Sequence, residues 1–148
     1  MPSQTEDAPD PSGKEYPAEG ITVWFDASRC GHFAECVHGQ PDVFKTGRRP
    51  WVRPDLGDPT DIAAVVRRCP TGALHYRLED GPEETPKVPT SVHRLKAGPL
   101  LVRGDLRIRT STGDMRETRA ALCGCGETRN KPFCDGACGI NVALGPRE

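Results

Sequence analysis

Four cysteines are crowded into the last part of the chain at a spacing that suits metal ligation. They follow the pattern C-x-C-x8-C-x3-C and are Cys123, Cys125, Cys134 and Cys138. Thiolates are soft ligands that bind zinc, copper(I) or iron–sulfur clusters. Zinc sites usually pair their cysteines as C-x2-C or wider, whereas a C-x-C pair in a tight loop can reach one iron of a larger cluster. The spacing therefore favours an iron–sulfur cluster, and a structural zinc module is the alternative.

Three more cysteines lie in the first half of the chain: Cys30, Cys36 and Cys69. Bacterial-type ferredoxin sites use a C-x2-C-x2-C run together with a remote Cys-Pro. Cys30 and Cys36 occupy the outer places of such a run, while Phe33 stands at the middle place. Cys69 is followed by a proline and supplies the remote position. This spacing indicates a second metal site; the alternative is that the three cysteines are small buried hydrophobic side chains.

The C-terminal cysteines lie in a motif that resembles that of the CDGSH iron–sulfur (NEET-type) proteins. The pattern C-x-C-x2-T-x3-P-x-C-D-G-A runs from Cys123 to Ala137, and the likeness extends over about residues 92–140. This resemblance implies a 2Fe–2S cluster. It also implies that Cys123 and Cys125 hold one iron, and that Cys134 shares the other iron with the ligand four residues later.

The fourth ligand is a histidine in that family, whereas Cys138 stands there in this chain. We therefore expect an all-cysteine 2Fe–2S site. A thiolate adds about one negative charge relative to a neutral imidazole, and cluster potentials follow ligand type and net charge. The site should be more reducing than is usual in the family. It should also lack the acid-labile behaviour that a histidine ligand gives near neutral pH.

The N-terminal half resembles the divergent single-cluster ferredoxin domain over about residues 20–78. The segments "PDVF", "RRPW" and "CPTGAL" carry the likeness together with the three cysteines. The resemblance implies a 3Fe–4S or 4Fe–4S cluster held by Cys30, Cys36 and Cys69. A phenylalanine at the vacant place favours 3Fe–4S, or a 4Fe–4S cluster whose fourth iron takes another ligand. His32 is the nearest candidate for that ligand, and the alternative is a surface histidine in the loop beside the cluster.

The composition disfavours several other classes of protein. The chain has 20 basic and 21 acidic residues, a balance that argues against a general nucleic-acid binder. No segment approaches the roughly 20 apolar residues of a membrane span, and the N-terminus lacks a secretory signal. We therefore expect a cytoplasmic protein with reduced thiols. With no Ser/His/Asp set, paired-carboxylate motif or phosphate loop in the sequence, we do not expect an enzyme.

Hydrophobic periodicity predicts the elements that position the cysteines. The alternation over residues 21–26 indicates a strand, and a second strand is expected over residues 73–79. Between them, apolar residues spaced as in a helix over residues 59–69 predict an amphipathic helix that leads into the third cysteine. In the second half we expect short antiparallel strands in "LLVRG", "LRIRTS" and "RETRAALC", with turns at Gly104–Asp105 and at residues 112–114.

These patterns predict an α+β protein of two small units. We expect a disordered acidic tail over residues 1–19 and a ferredoxin-like α/β domain over residues 20–78. A Pro-rich linker over residues 79–91 should lead to a mostly β, cluster-stapled CDGSH-type domain over residues 92–148. Three histidines lie in no motif and are expected to be ordinary surface or strand residues: His38, His75 and His93.

The function expected from the cysteines is one-electron transfer through a C-terminal 2Fe–2S cluster and an N-terminal 3Fe–4S or 4Fe–4S cluster. The alternative is a protein that stores, senses or transfers iron–sulfur clusters or iron. The partner would be an unidentified redox protein or an apo-acceptor protein, without nucleic acid or membrane. Dimers are frequent in the CDGSH family, which makes a homodimer plausible unless the N-terminal half covers the same surface.

Overall fold

The computed structural model describes residues 11–30, 35–94, 99–124 and 131–134 of the chain. These residues form two three-stranded antiparallel sheets, two α-helices and two short 3-10 helices. One sheet belongs to the N-terminal half and the other to the C-terminal half. This mixture of helices and small sheets agrees with the predicted α+β class, while the predicted division into domains stays a prediction.

The N-terminal sheet contains β1 (Lys14–Ala18), β2 (Ile21–Phe25) and β3 (Leu74–Leu78) in that order. Strand β2 pairs antiparallel with both neighbours. The predicted strands over residues 21–26 and 73–79 are therefore confirmed to within one residue at their ends. Strand β2 buries Ile21 and Val23 completely, as an alternating pattern requires.

The prediction of a disordered tail over residues 1–19 is wrong for residues 14–18, which form β1. The segment "KEYPA" contains a proline, which a central strand does not tolerate. An edge strand does tolerate it, and β1 lies at the edge of its sheet. Tyr16 anchors the strand because its side chain is buried in the core.

Two α-helices accompany this sheet, α1 (Glu35–Gly39) and α2 (Pro59–Val66). The side chain of Asp58 caps α2 by accepting hydrogen bonds from the backbone N–H groups of Thr60 and Asp61, at 3.0 and 3.3 Å. Proline at the first helical position suits the same helix start. The predicted amphipathic helix is confirmed, and its apolar stripe joins the core. The buried core side chains are Tyr16, Ile21, Val23, Val43, Phe44, Val52, Ile62, Ala63, Val65, Val66, Leu74 and Tyr76.

The C-terminal sheet contains β4 (Ser91–Arg94), β5 (Leu100–Thr110) and β6 (Gly113–Leu122) in that order. The turn predicted at residues 112–114 is confirmed, because β5 and β6 form a hairpin there. The turn predicted at Gly104–Asp105 is wrong. The pairing register shifts between Arg103 and Leu106, so this glycine lies at a bulge within one long strand.

None of the helices in the part of the chain that the structure describes has the length and apolar character needed to cross a bilayer.

Candidate metal centres

The three N-terminal cysteines lie in short helices or just after them. Cys30 follows the 3-10 helix Ala27–Arg29, whose start is capped by the Asp26 carboxylate. Cys36 lies in α1, and Cys69 comes three residues after the end of α2. Cys36 and Cys69 are partly buried and pack against the core. These helices thus fix the backbone positions of the three cysteines.

The electrostatics of Cys36 indicate that its thiol lies within range of the thiols of Cys69 and Cys30. Burial, followed by repulsion from Cys69 and then from Cys30, raises the pKa of Cys36 to about 12. Three neighbouring thiols cannot ionise together in a partly buried site unless a cation compensates their charge. Iron bound by Cys30, Cys36 and Cys69 would provide that compensation, since a coordinated thiol is deprotonated by the metal. The donor set therefore fits a thiolate-bound iron–sulfur cluster.

Cys69 differs from Cys36 because it has cationic and hydrogen-bonding partners. Burial by itself would raise the pKa of Cys69. The Arg119 guanidinium and a hydrogen bond with Thr71 outweigh the burial, so the pKa of Cys69 is lowered from its ordinary value. The Thr71 hydroxyl oxygen lies 3.4 Å from the sulfur. Cys69 is thus prepared to carry negative charge, as a metal ligand must.

Within residues 11–30, 35–94, 99–124 and 131–134, no three His, Cys, Asp or Glu side chains form a group that could hold one metal ion. A structural zinc site brings its ligands onto a single atom. A cluster of several irons distributes its cysteines over different metal atoms.

The C-terminal cysteines in the described part of the chain are brought together by one β-bridge. Leu122 pairs with Phe133 in antiparallel register. The N–H of Cys123 donates to the Pro132 carbonyl, and the N–H of Cys134 donates to the Ala121 carbonyl, both at 2.8 Å. This register puts both cysteines on the same face at diagonal positions, whose Cα atoms are typically about 7–8 Å apart. Such a spacing suits two ligands of one small cluster.

A cleft of about 530 Å³ adjoins Cys123. Its lining includes two basic residues, Arg94 and Lys131, and the apolar side chains of Leu100 and Leu122. Cys134, in contrast, is buried, with a relative exposure of 5%. Of the two described C-terminal cysteines, Cys123 therefore adjoins a cleft and Cys134 is covered.

Four residues from the predicted sites lie outside the described residues: His32, Phe33, Cys125 and Cys138. His32 as a ligand, Phe33 at the vacant place, and Cys125 and Cys138 as C-terminal ligands therefore stay predictions. Among the described residues, Cys36 interacts electrostatically with Cys69 and Cys30, and one β-bridge joins the segments that carry Cys123 and Cys134.

Comparison with known proteins gives a family for each half of the chain. Residues 16–79 match the family described as divergent 4Fe-4S mono-cluster, and residues 97–137 match the family described as iron-binding zinc finger CDGSH type. The similar proteins include two that are named "Uncharacterized protein YjdI", from Escherichia coli K12 and Escherichia coli O157:H7. Each is 40% identical over 62 residues, which is 42% of this chain and 82% of the relative.

The chain belongs to the divergent 4Fe–4S mono-cluster family. It also carries a CDGSH-type iron-binding domain, so both resemblances seen in the sequence are confirmed. No solved structure matches the chain. Residues 16–79 are called the mono-cluster half below, and residues 97–137 the CDGSH half.

A buried group of charged residues joins the mono-cluster half to the CDGSH half. Arg29 forms an ion pair with Glu117, and Arg119 forms one with Glu84. His75 lies between the two carboxylates, with Nδ1 2.6 Å from Glu84 and Nε2 2.9 Å from Glu117. All five residues have a relative exposure of 2 or 3%. We call this set the buried charge network.

The expectation that His75 is an ordinary surface or strand residue is wrong, because its imidazole is buried in this network. Burial lowers the pKa of His75, but the attraction of Glu117 and hydrogen bonds to Glu117 and Glu84 raise it more, so the pKa is raised above 6.5. Glu117 responds in the opposite sense. Burial raises its pKa, yet His75 and Arg29 hold it below 4.5. The imidazolium and the carboxylates therefore stabilise each other's charged forms.

The network also touches the C-terminal cysteines. The Arg29 guanidinium stacks over the ring of Phe133, with its carbon 4.2 Å from the ring centre, an arrangement typical of cation–π contacts. Phe133 directly precedes Cys134 in the sequence, and Arg29 directly precedes Cys30. Arg29, the residue before Cys30, thus contacts Phe133, the residue before Cys134.

Sequence reasoning missed the other members of the buried charge network around His75: Arg29, Glu84, Glu117 and Arg119. One signal was present. If Leu74 and Tyr76 face the N-terminal core, then the alternation of β3 puts His75 on the opposite face. That face is covered by the C-terminal sheet rather than by solvent, a relationship that no local pattern in the sequence contains.

Proposed function

We propose that this protein is a non-enzymatic one-electron carrier with two iron–sulfur clusters, one in each half. The observation that carries the proposal is the presence of two separate groups of neighbouring thiols in one chain whose halves belong to iron-binding families. Iron–sulfur clusters, when bound, accept and release single electrons. The chain supplies the ligands, the burial and the charges that determine how readily they do so.

In the mono-cluster half, Cys30, Cys36 and Cys69 would hold a 3Fe–4S or 4Fe–4S cluster, with His32 as the candidate fourth ligand. The antiparallel β2–β3 pair and α2, which leads towards Cys69, support a ferredoxin-like arrangement around it. The Thr71 hydroxyl lies 3.4 Å from the Cys69 sulfur and would donate to it if the sulfur were a metal-bound thiolate. Such a donor stabilises negative charge on the sulfur and raises the potential of the site.

In the CDGSH half, Cys123, Cys125, Cys134 and Cys138 would hold a 2Fe–2S cluster. Cys134 is shielded by burial, whereas Cys123 faces the cleft that Arg94 and Lys131 line. Electron transfer needs one accessible side on which a partner can approach. Two basic side chains there suit a redox partner with an acidic contact surface.

A second candidate function is the transfer of an iron–sulfur cluster or iron to an apo-acceptor protein. The cleft beside Cys123 favours it, since an acceptor thiol needs a path to the donor site. An all-cysteine ligand set argues in the other direction, because release cannot be triggered by protonating a histidine ligand. Mixing the loaded protein with an apo-ferredoxin and following the acceptor's visible spectrum separates the two functions. Transfer within minutes supports a donor, and retention supports an electron carrier.

The direct test is EPR spectroscopy of the anaerobically purified protein, oxidised and dithionite-reduced, together with iron and acid-labile sulfide analysis. We expect two distinct cluster signals. Cys36→Ser should remove only the signal of the mono-cluster half, and Cys134→Ser should remove only that of the CDGSH half. Each variant is the control for the other. Colourless protein containing zinc and no sulfide would contradict the proposal and support the structural zinc module.

A further inference from the structure

Arg119 lies on β6 in the CDGSH half, but its guanidinium is occupied by the backbone of the mono-cluster half. Its Nη1 donates to the carbonyl oxygens of Val66 and Cys69, both at 2.6 Å. Its Nη2 donates to the carbonyl oxygen of Leu74 at 2.7 Å. With a relative exposure of 3%, the side chain is shielded from water. The CDGSH half therefore supplies a structural element of the mono-cluster site.

The carbonyls of Val66 and Leu74 flank the loop that carries Cys69, and the third carbonyl belongs to Cys69 itself. Val66 is the last residue of α2 and Leu74 the first of β3. A second arginine of the C-terminal sheet assists from β5, because Arg103 donates to the carbonyls of Arg67 and Arg68 at 2.7 and 3.2 Å. The final carbonyls of a helix have no partner within the helix. Arg119 and Arg103 bind them and thereby fix where the Cys69 sulfur lies.

The charges of the buried network are not balanced within it. Three cationic groups, namely Arg29, Arg119 and the imidazolium of His75, meet two carboxylates. A buried charge is expected to be paired. Burial lowers the pKa of Arg119, but the attraction of Glu84 and then that of Cys69 raise it more. A negatively charged Cys69 sulfur, as in a metal-bound thiolate, would complete the balance.

We propose that Arg119 is a positioning residue of the mono-cluster site, which fixes the Cys69 loop and places a buried positive charge beside its sulfur. This inference rests on the proposed function, since it concerns the cluster held by Cys30, Cys36 and Cys69. Reduction by dithionite adds one electron, and hence one negative charge, next to Arg119. A fixed positive charge stabilises that added charge and raises the reduction potential. The CDGSH half thus sets the potential of a cluster that it does not ligate.

The test is a dithionite titration of the full-length, anaerobically purified protein at controlled ambient potential, with both clusters followed by EPR. At the wild-type midpoint of the mono-cluster site, Arg119→Gln should lower the ratio of reduced to oxidised cluster at least tenfold. For a one-electron couple that equals a shift of 59 mV to more negative potential. Arg119→Lys keeps the charge but not the fork of donors. The potential of the mono-cluster site in this variant should stay near the wild-type value. A chelator should nevertheless remove iron from that site faster than from the wild-type protein.

Two further variants make the result decisive. Arg109→Gln removes an exposed arginine from the same sheet and should leave both potentials unchanged. Glu84→Gln removes the carboxylate that faces Arg119 while keeping a hydrogen-bonding amide, so the mono-cluster potential should rise. If Arg119→Gln fails to retain its cluster, the Glu84→Gln titration decides the matter.

Unchanged mono-cluster potentials in both Arg119→Gln and Glu84→Gln would overturn the assignment of Arg119 while leaving the proposed function intact. Wild-type protein that binds no cluster through Cys30, Cys36 and Cys69 would overturn both together. The presence or absence of the wild-type EPR signal therefore distinguishes the two failures.

Discussion

Arg119 donates a hydrogen bond to the carbonyl oxygen of Cys69 at 2.6 Å, although 50 positions separate the two residues in the sequence. The contact belongs to a buried charge network whose members come from the mono-cluster half, the CDGSH half and the segment between them. The two halves are therefore packed through ionised side chains rather than only tethered by a linker. Substitutions in this network should therefore change both the stability and the redox behaviour of the protein.

Arg29→Met should destabilise the protein strongly, because the substitution removes one partner of a buried ion pair and leaves Glu117 with less compensation. Breaking such a pair typically costs about 3–5 kcal/mol in free energy of unfolding. Arg109→Met is the matched control, since its ion pair with Asp114 is exposed and such pairs contribute about 0–1 kcal/mol. Anaerobic chemical denaturation followed by far-UV circular dichroism measures both. Equal losses in the two variants would show that the network adds nothing to stability.

Gly72→Ala should also destabilise the protein, for two reasons. Gly72 has a φ of +74°, and a Cβ at this position would overlap the carbonyl oxygen of Arg119 and the guanidinium of Arg29. Gly47 has a φ of +85° with no atom near its added Cβ, so Gly47→Ala shows the backbone cost alone, roughly 1–2 kcal/mol. We expect Gly72→Ala to exceed Gly47→Ala by at least about 1 kcal/mol in the same denaturation experiment. A smaller loss at Gly72 than at Gly47 would contradict the close packing of the Cys69 loop on the network.

Stability should fall as the pH rises through the folded-state pKa of His75, which is raised from its ordinary value. Its pKa in the folded protein is raised above 6.5, so its stabilising contribution is complete below pH 6.5 and disappears as the pH rises through the folded value. Glu117 affects stability at the acidic end of the pH range. Its pKa is lowered from 4.5, so its contribution is present above pH 4.5 and is lost as the pH falls through the folded value.

The thermal midpoint of the wild type, measured at a fixed scan rate between pH 5 and pH 9, should therefore decline on the alkaline side. His75→Gln keeps hydrogen-bonding capacity without the titrating charge and should show a flatter alkaline limb. Parallel curves for the two proteins would mean that His75 is not charged in the folded state.

Cys138→His should raise the potential of the cluster in the CDGSH half. Replacing a thiolate by a neutral imidazole removes about one negative charge, and the expected rise is on the order of 100 mV. The same variant should lose its cluster faster below pH 6, because protonation of the new histidine weakens its bond to iron. Redox titration and the decay of visible absorbance report these two effects. A potential that does not move would show that Cys138 does not ligate the cluster, and Cys36→Ser supplies the control in which only the other half is affected.

The elements predicted correctly from the sequence are those with strong local patterns. Strand β2 and helix α2 each carry an uninterrupted apolar periodicity, and the helix also has the Asp58 cap and a proline at its first position. Strand β1 was missed because a proline and charged residues conceal an edge strand that depends on pairing with β2. The bulge at Gly104 was taken for a turn, since the sequence signals a local break but not whether the strand continues beyond it.

The candidate sites were predicted unevenly for a related reason. Cysteine spacing is a local signal, and it selected the cysteines of both candidate sites, whose roles as ligands stay predictions. The buried charge network is non-local: 42 positions separate His75 from Glu117, and 88 separate Arg29 from Glu117. Charged residues are rarely fully buried, so sequence reasoning assigns them to the surface unless a partner is known. Such partners become visible only after the sheets have been packed.

Glu84 has a consequence for protein engineering. It lies in the segment between the two sheets, where composition suggests a replaceable spacer, yet its carboxylate is the counterion of Arg119 and His75. Exchanging that segment for a glycine–serine tether, or grafting either half onto a foreign module, would leave both buried cations without this counterion. A chimeric protein that contains both iron-binding halves therefore has to keep Glu84 as well.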